Sequence, residues 1–200
     1  FGLYDDGTAG LVEQVSESHG NESQPRQRFH ICRADKIILA TGAIERNYAF
    51  ANNDIPGIMT VNAAQIYLNR FDVLVGEQII ITTNNDSAYD TAIDLANAGA
   101  KIVILDARSE LDSILKCKIE ALNMDLHLKS AVTQANGGKQ ITSIRKAIKP
   151  TPASDWQSAE TMPCDCLLIS AGWSPVIHLA SQRGGPAAWN AEQACFTANI

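Results

Sequence analysis

Two hundred residues, 46% hydrophobic and 19% charged, describe an ordinary globular chain long enough for one or two domains with a proper core. A formal net charge of -6 disfavours nucleic acid as a partner, because such binders need a basic surface to displace counterions. The longest apolar runs, QIIIT and CLLIS, are too short to span a bilayer, so no membrane partner is expected either.

The chain opens on FGLY, a DDG turn and LVEQVSE, an alternation of period two that predicts a β-meander. This opening carries neither an initiator Met nor a signal-peptide pattern, and it reads as a start inside a longer protein. SHGNESQPRQR is polar and Pro/Gly-containing, a loop. FHICRADKIILATGA then predicts a strand, a short break and a buried strand. The run KIILA, ending in small residues, suggests a parallel strand whose carboxyl end meets a ligand or a crossing chain. MTVNAAQIYLNRF reads as helix, with Val61, Ala64, Ile66, Leu68 and Phe71 apolar, and GEQIIIT as the next strand.

The stretch Ile81 to Ala107, ITTNNDSAYDTAIDLANAGAKIVILDA, has the frame of the first strand, helix and second strand of a dinucleotide-binding unit. The fingerprint of such units is G-x-G-x-x-G/A, then small and apolar residues on the helix, a Gly before the second strand and an acidic residue at its end. Laid on without gaps, its glycine positions fall on Thr83, Asn85 and Ala88. The helix-face residues fall on Ala92 and Leu95, the later glycine on Gly99 and the acid on Asp106. Ala88 is acceptable, since that position needs only a small side chain. Asn85 is the obstacle, because the second glycine lets the backbone approach the pyrophosphate. Thr83 stands in the tight turn, where a β-branched residue resists left-handed angles.

Two readings stay open. In one, Asp106 takes an NAD ribose hydroxyl, while Asn84, Asn85 and Ser87 supply side-chain donors. In the other the site is retired: Asp86 or Ser87 caps the helix, an asparagine blocks the pyrophosphate space, and Asp106 faces solvent or a nearby backbone donor.

Beyond Asp106, ELDSILKCKIEALN predicts an amphipathic helix. MDLHLKSAVTQANGGKQITSIRKAIKP predicts two strands joined at Asn136-Gly137-Gly138. TPASDWQSAETMP reads as loop, CDCLLISAGWSP as a buried strand entering a turn, and VIHLASQRGG as a short helix closed by glycines. The fold class expected is therefore α/β: a Rossmann-like parallel βαβ sheet with an antiparallel β-hairpin and meander.

The five cysteines are irregularly spaced, which argues against a disulfide framework and for a reducing cytoplasm. Cys164 and Cys166 form a CxC at a strand start. They are read as buried on one face of that strand, with no metal site expected since no histidine lies close in sequence. No catalytic set is visible. Glu45 and Arg46 are adjacent and point apart on a strand, so an ion pair between domains or simple exposure is expected of them.

LATGA (Leu39 to Ala43), a Rossmann-like insertion with a hairpin, and ISAGWSP (Ile169 to Pro175) follow the order seen in two-dinucleotide-domain flavoproteins such as the thioredoxin reductases. The stretches LATGAIERNYAFANNDIPGIMTVNAAQIYLNRF, TNNDSAYDTAIDLANAGA and SAGWSPVIHLASQRGG resemble the alpha subunit of heterotetrameric sarcosine oxidase more closely, over nearly the whole chain. The TNNDSAY turn belongs to that likeness.

The resemblance implies a fragment of a longer subunit, built like the NAD(P)-binding domain of FAD/NAD(P)-linked reductases. Residues 1–72 would be part of the first dinucleotide-binding domain, 73–175 an inserted Rossmann-like domain, and 176–200 a return to the first. NAD would sit mainly outside this chain. FAD and FMN would be held by the beta subunit and at its interface with alpha, and no cofactor would be bound tightly here. The partners implied are the other subunits of the oxidase, with sarcosine and tetrahydrofolate as substrates of the complex, which oxidatively demethylates sarcosine to glycine. The cofactor contacts implied are Ala40, Thr41, Gly42 and Ala43, since a glycine after a parallel strand admits backbone close to a dinucleotide. Gly172 and Pro175 would turn the chain at the domain junction, and Trp173 would pack or cover a cofactor. The alternatives are an autonomous NAD-binding module using Asp106, or a subunit of a related amine, proline or opine dehydrogenase.

Overall fold

The computed structural model describes residues 1–15, 25–149, 155–182 and 184–198. Contacts divide the chain into two compact units. One joins Phe1–Ile44 to Trp173–Ile200, and the other is Glu45–Gly172.

In the first unit β1 (Gly2–Tyr4), β2 (Thr8–Gln14) and β3 (Gln27–Arg33) form the expected antiparallel meander, with Gly10 opposite Gly2 and Ile31. The loop predicted over 18–28 lies largely outside the described residues. KIILA forms no strand, and Ile38 is 92% exposed. The prediction of a buried parallel strand fails there for a physical reason. Such a strand needs hydrogen-bonding neighbours at its edges and layers on both faces, and none of the described residues supplies them. β4 (Ala43–Glu45) follows instead and pairs with a strand far along the chain.

The second unit starts with β5 (Ile58–Thr60) and α1 (Val61–Phe71). Thr60 caps α1 by accepting from the Ala63 N–H, and Glu45 Oε2 accepts from the Asn62 N–H at 2.7 Å. The Glu45 carboxylate thus satisfies a first-turn donor, the position where the helix dipole favours negative charge, and this replaces the ion pair or exposure expected of it. Next come β6 (Gln78–Thr83), α2 (Ser87–Asn97), β7 (Lys101–Asp106), α3 (Ser113–Ala121) and β8 (Asp125–Leu128).

After a left-handed residue at Lys129 the chain forms β9 (Ser130–Gly137) and β10 (Ile141–Ile148), the hairpin predicted at Asn136-Gly137-Gly138. The two strands expected over 124–150 are thus three, because Asp125–Leu128 pairs parallel with β7 before the chain turns away. β11 (Gln157–Pro163) adds to β10, where loop was expected over 151–163. Its pairing with a preformed edge supplies order that its polar composition does not announce, while residues 151–154 lie outside the described residues. β12 (Cys166–Ser170) returns to the parallel sheet, wholly buried.

Back in the first unit are β13 (Trp173–Pro175), which pairs with β4, α4 (His178–Ser181), and a terminal hairpin of β14 (Ala187–Asn190) and β15 (Cys195–Ala198).

The parallel sheet has the order β5-β12-β6-β7-β8, and every neighbouring pair is parallel. Strand alternation deals its side chains to two layers. Ile79, Ile81, Ile102, Ile104, Cys166 and Leu168 join the helices in one core; Ile80, Leu105, Leu167 and Ile169 join the β9–β11 sheet in the other. This is why the central strands read as unbroken apolar runs. Helix α2 contributes Ala88, Ala92 and Leu95, spaced to share one face.

The compact unit therefore begins at Glu45, not at residue 73. Strand β5 is hydrogen-bonded into the sheet and α1 packs on the same core as α2, so both stand with the second unit and not with the first segment.

Cys164 and Cys166 do not share a face as expected. The strand starts only at Cys166, so Cys164 enters the sheet-side core and Cys166 the helix-side core. Burial pushes both thiols from the ordinary 9.0 up to about 12, with Asp165 adding to the shift. At pH 8 a thiol reagent should label exposed Cys32 and Cys117 quickly, and buried Cys164, Cys166 and Cys195 only on unfolding. The folded pKa of Cys164 and of Cys166 is raised, so the stabilisation from keeping these two thiols neutral is complete below about pH 9 and is lost as pH rises towards 12. Chemical denaturation between pH 8 and 11 checks the sign; a midpoint that rose across this window would contradict it.

Candidate functional site

The carboxyl ends of three adjacent parallel strands meet in one row. Ser170 of β12 is level with Thr83 of β6, and Thr83 is level with Asp106 of β7. In open α/β sheets this edge is where a ligand lies. The loop Thr83–Asp86 crosses it and enters α2.

Asn85 dominates that loop. Its side-chain Nδ2 donates to the Ser170 carbonyl at 3.2 Å and to Ser170 Oγ at 3.1 Å. Its Oδ1 accepts from the Ser87 N–H at 3.2 Å and from Ser87 Oγ at 2.6 Å. Thr83 Oγ1 folds back onto the Asn85 main chain, accepting from its N–H at 3.2 Å and donating to its carbonyl at 3.1 Å. No residue from Thr83 to Ala88 has a positive φ, so the β-branched Thr83 carries no left-handed strain and the turn does not require glycine.

The capping expected of Asp86 or Ser87 takes another form. Asp86 occupies the N-cap position without a side-chain cap bond, and Asn85 Oδ1 accepts the Ser87 N–H in its place. Asp86 is drawn off by Arg108, whose NH1 lies 2.7 Å from its Oδ1.

Asp106 is fully buried, so of the two surroundings expected of it at a retired site, solvent or a nearby backbone donor, it has the second. It accepts from the Arg108 N–H at 2.8 Å, from Arg108 Nε and NH2, and from Tyr89 Oη at 2.6 Å. Tyr89 lies in the first turn of α2 and is itself buried. Burial, reinforced by the bond to Asp106, pushes its phenol far above the ordinary range, and the bond to Asp106 holds the Arg108 guanidinium firmly protonated. The donors around this carboxylate are protein groups. Sequence reasoning named Asp106 and missed Tyr89 and Arg108. The available signals were an arginine two residues beyond the strand-end acid and a tyrosine in the first helical turn.

The ATGA residues lie in the other unit. Thr41 Oγ1 donates to the Val176 carbonyl at 2.6 Å, and the Val176 N–H donates to the Gly42 carbonyl at 3.0 Å. Gly42 has φ +70°, and a Cβ placed there meets nothing within 4 Å. Ala40 and Ala43 are exposed beside it. At the other crossing, Gly172 has φ +99°, a backbone conformation that calls for glycine, while the Arg46 guanidinium 2.6 Å from where a Cβ would lie is the end of a flexible side chain. Arg46 closes this crossing through its main chain, bonding to Gly172 and Ala171.

Replacing Thr83 and Asn85 together by glycine should clear the loop but lower stability by about 1 kcal/mol or somewhat more, since loop entropy rises and the Asn85 bonds are lost. Urea unfolding checks this; a stabilised double variant would show that the asparagine network carries strain.

The sequence model described as pyridine nucleotide-disulphide oxidoreductase matches residues 9–189. The chain is 36% identical over 202 residues to the alpha subunit of sarcosine oxidase from Rhizobium meliloti (strain 1021), covering 99% of this chain and 19% of that protein. It is 28% identical over 179 residues to an opine oxidase subunit of Rhizobium meliloti, covering 82% of this chain and 34% of that one. The chain thus spans about a fifth to a third of these relatives. Among solved structures, thioredoxin reductase of T. acidophilum superposes with a TM-score of 0.61 at 14% identity, over 85% of this chain and 59% of that chain, a likeness of fold.

Proposed function

The chain belongs to the pyridine nucleotide-disulphide oxidoreductase family, and from that premise we propose that it is part of the alpha subunit of a sarcosine oxidase-like complex in which the parallel unit serves assembly and no longer grips a dinucleotide. The observation that carries this reading is the Asn85 side chain, tied to Ser170 on one side and to Ser87 on the other. It stands where a dinucleotide-binding turn has its second glycine and brings backbone to the pyrophosphate. An NAD pyrophosphate does not fit these residues, and the ribose-binding acid is already saturated by Tyr89 and Arg108.

In this reading the first unit holds the pieces of a first dinucleotide-binding domain, entering before Glu45 and resuming near residue 173. Ala40 to Ala43 form one edge of an NAD site completed by a longer subunit, and the open space at Gly42 suits close approach of a ligand. The parent complex oxidises the CH–NH group of sarcosine, with FAD and FMN held by the beta subunit and at its interface with alpha, and tetrahydrofolate taking the one-carbon unit. The high identity to the alpha chain of a sarcosine oxidase supports this substrate. Membership of an opine-oxidising complex is the second reading, supported by the weaker likeness to the opine oxidase chain. Five unpaired thiols are in keeping with a reducing cytoplasm. No helix among the described residues is long and apolar enough to cross a membrane.

Isothermal titration of NAD into the chain tests the retired site. The expected result is no binding tighter than about 1 mM, a free energy weaker than about -4 kcal/mol. Micromolar affinity would overturn the proposal and favour an autonomous NAD-binding module. Exposed Phe29, Ile31 and Ile38 in the first unit also lead us to expect self-association in isolation. A sharp monomer by light scattering at high concentration would count against it.

A further inference from the structure

Within the second unit a cavity of about 370 Å³ opens at the carboxyl edge of the parallel sheet, on the side of β9. Its volume lies near the small end of the roughly 300–1,000 Å³ usual for ligand pockets. Aromatic walls come from Tyr48, Phe50 and Trp156. Thr82, Thr83 and Ser170, all buried, put hydroxyl-bearing side chains along the sheet edge. Among the described residues, none that lines it carries a formal charge.

The walls are fixed before any ligand arrives. Tyr48 Oη donates to the Val132 carbonyl at 3.0 Å, accepts from the Val132 N–H at 3.1 Å and lies 3.0 Å from Thr82 Oγ1. Its ring packs on Phe50, centroids 5.4 Å apart. The main chain just beyond Phe50 is pinned to β9, with the Ala51 N–H donating to the Thr133 carbonyl and the Ala135 N–H donating to the Ala51 carbonyl. Two main-chain bonds and a hydroxyl contact on one phenol make a rigid wall, and rigid aromatic surfaces bind rings at low entropic cost.

We propose that this cavity, which borders the blocked dinucleotide turn through Thr83 and Asn84, is a binding site for a small, neutral, planar ring compound. The physical argument is one of matching. A carboxylate or phosphate placed here would be desolvated without a cationic partner, which is costly. A flat uncharged ring loses little hydration and gains contact with the aromatic side chains of Trp156 and Tyr48, while the hydroxyls of Thr82, Thr83 and Ser170 are already engaged by Tyr48 and Asn85 and ask nothing of it. The site does not depend on the assignment of the parent oxidase.

The test is a titration of the isotope-labelled chain followed by amide NMR, with indole as the neutral probe and indole-3-acetate as its charged counterpart. Indole should bind tighter than about 1 mM and shift the amides of Ala49, Thr133 and Ala171, while the carboxylate should bind at least about tenfold more weakly. Ala49→Trp, on an exposed lining position, should fill the cavity, abolish the shifts and leave the remaining spectrum folded. Thr133→Phe is a second filling variant, should the first point outward. Absence of indole binding, equal binding of the carboxylate, or unchanged binding in both folded variants would overturn the site. NAD binding at the Thr83–Asp86 turn would overturn only the retired-site proposal, since its shifts would centre on Ser87 and Arg108.

Discussion

Arg108→Met should lower stability by about 3 kcal/mol, through the charge it leaves behind more than the contacts it removes. Asp106 is fully buried, and Arg108 provides three of its side-chain hydrogen-bond contacts. Without the guanidinium the carboxylate keeps only the residue-108 N–H and the Tyr89 hydroxyl. Removing one partner of a buried pair typically costs about 3–5 kcal/mol, and the surviving donors place this case at the lower end. The double variant Arg108→Met/Asp106→Asn should recover part of the loss, because no buried charge then stands unpaired. Urea unfolding of the two single variants and the double variant measures the coupling. A loss below about 1 kcal/mol for Arg108→Met would mean that Asp106 is solvated in solution, and the ribose-binding role of Asp106 would reopen.

Leu168→Ala should be comparably severe, at about 3–4 kcal/mol. Leu168 is fully buried at the middle of β12, which is flanked by β5 and β6, and it packs in the helix-side core. Truncation removes apolar transfer energy and leaves a cavity that fixed strands on both sides cannot close. Leu11→Ala, on half-exposed β2 of the other unit, should cost well under about 1 kcal/mol. Thermal unfolding of both variants compares them directly. Equal losses would mean that the meander, and not the parallel sheet, limits stability.

Most of the second unit was legible because its signals are local. The isoleucines and leucines of Ile79–Ile81, Ile102–Leu105 and Leu167–Ile169 form runs too short for buried helices. Ala88, Ala92 and Leu95 repeat at helical spacing, and Asn136-Gly137-Gly138 names its own turn. The lost glycine fingerprint was legible too, since Asn85 is a fact of composition. KIILA shows the limit: its apolarity is real, but a strand exists only with neighbours, and Ile38 has none among the described residues.

By itself, then, the sequence determined the parallel βαβ frame, its hairpin, and a strand-to-helix turn without the glycines that admit a pyrophosphate. Only the tertiary structure decided what occupies that turn. Asn85 meets Ser170 across 85 positions of chain, and Tyr89 closes on Asp106 because α2 packs over β6 and β7. Cys164 and Cys166 separate into different cores because the strand starts between them, and Tyr48 reaches Val132 from 84 residues away to wall a cavity. Periodicity reports which face of an element is apolar. Which polar groups that face brings within about 3 Å of one another depends on long-range packing, and no spacing in the chain encodes it.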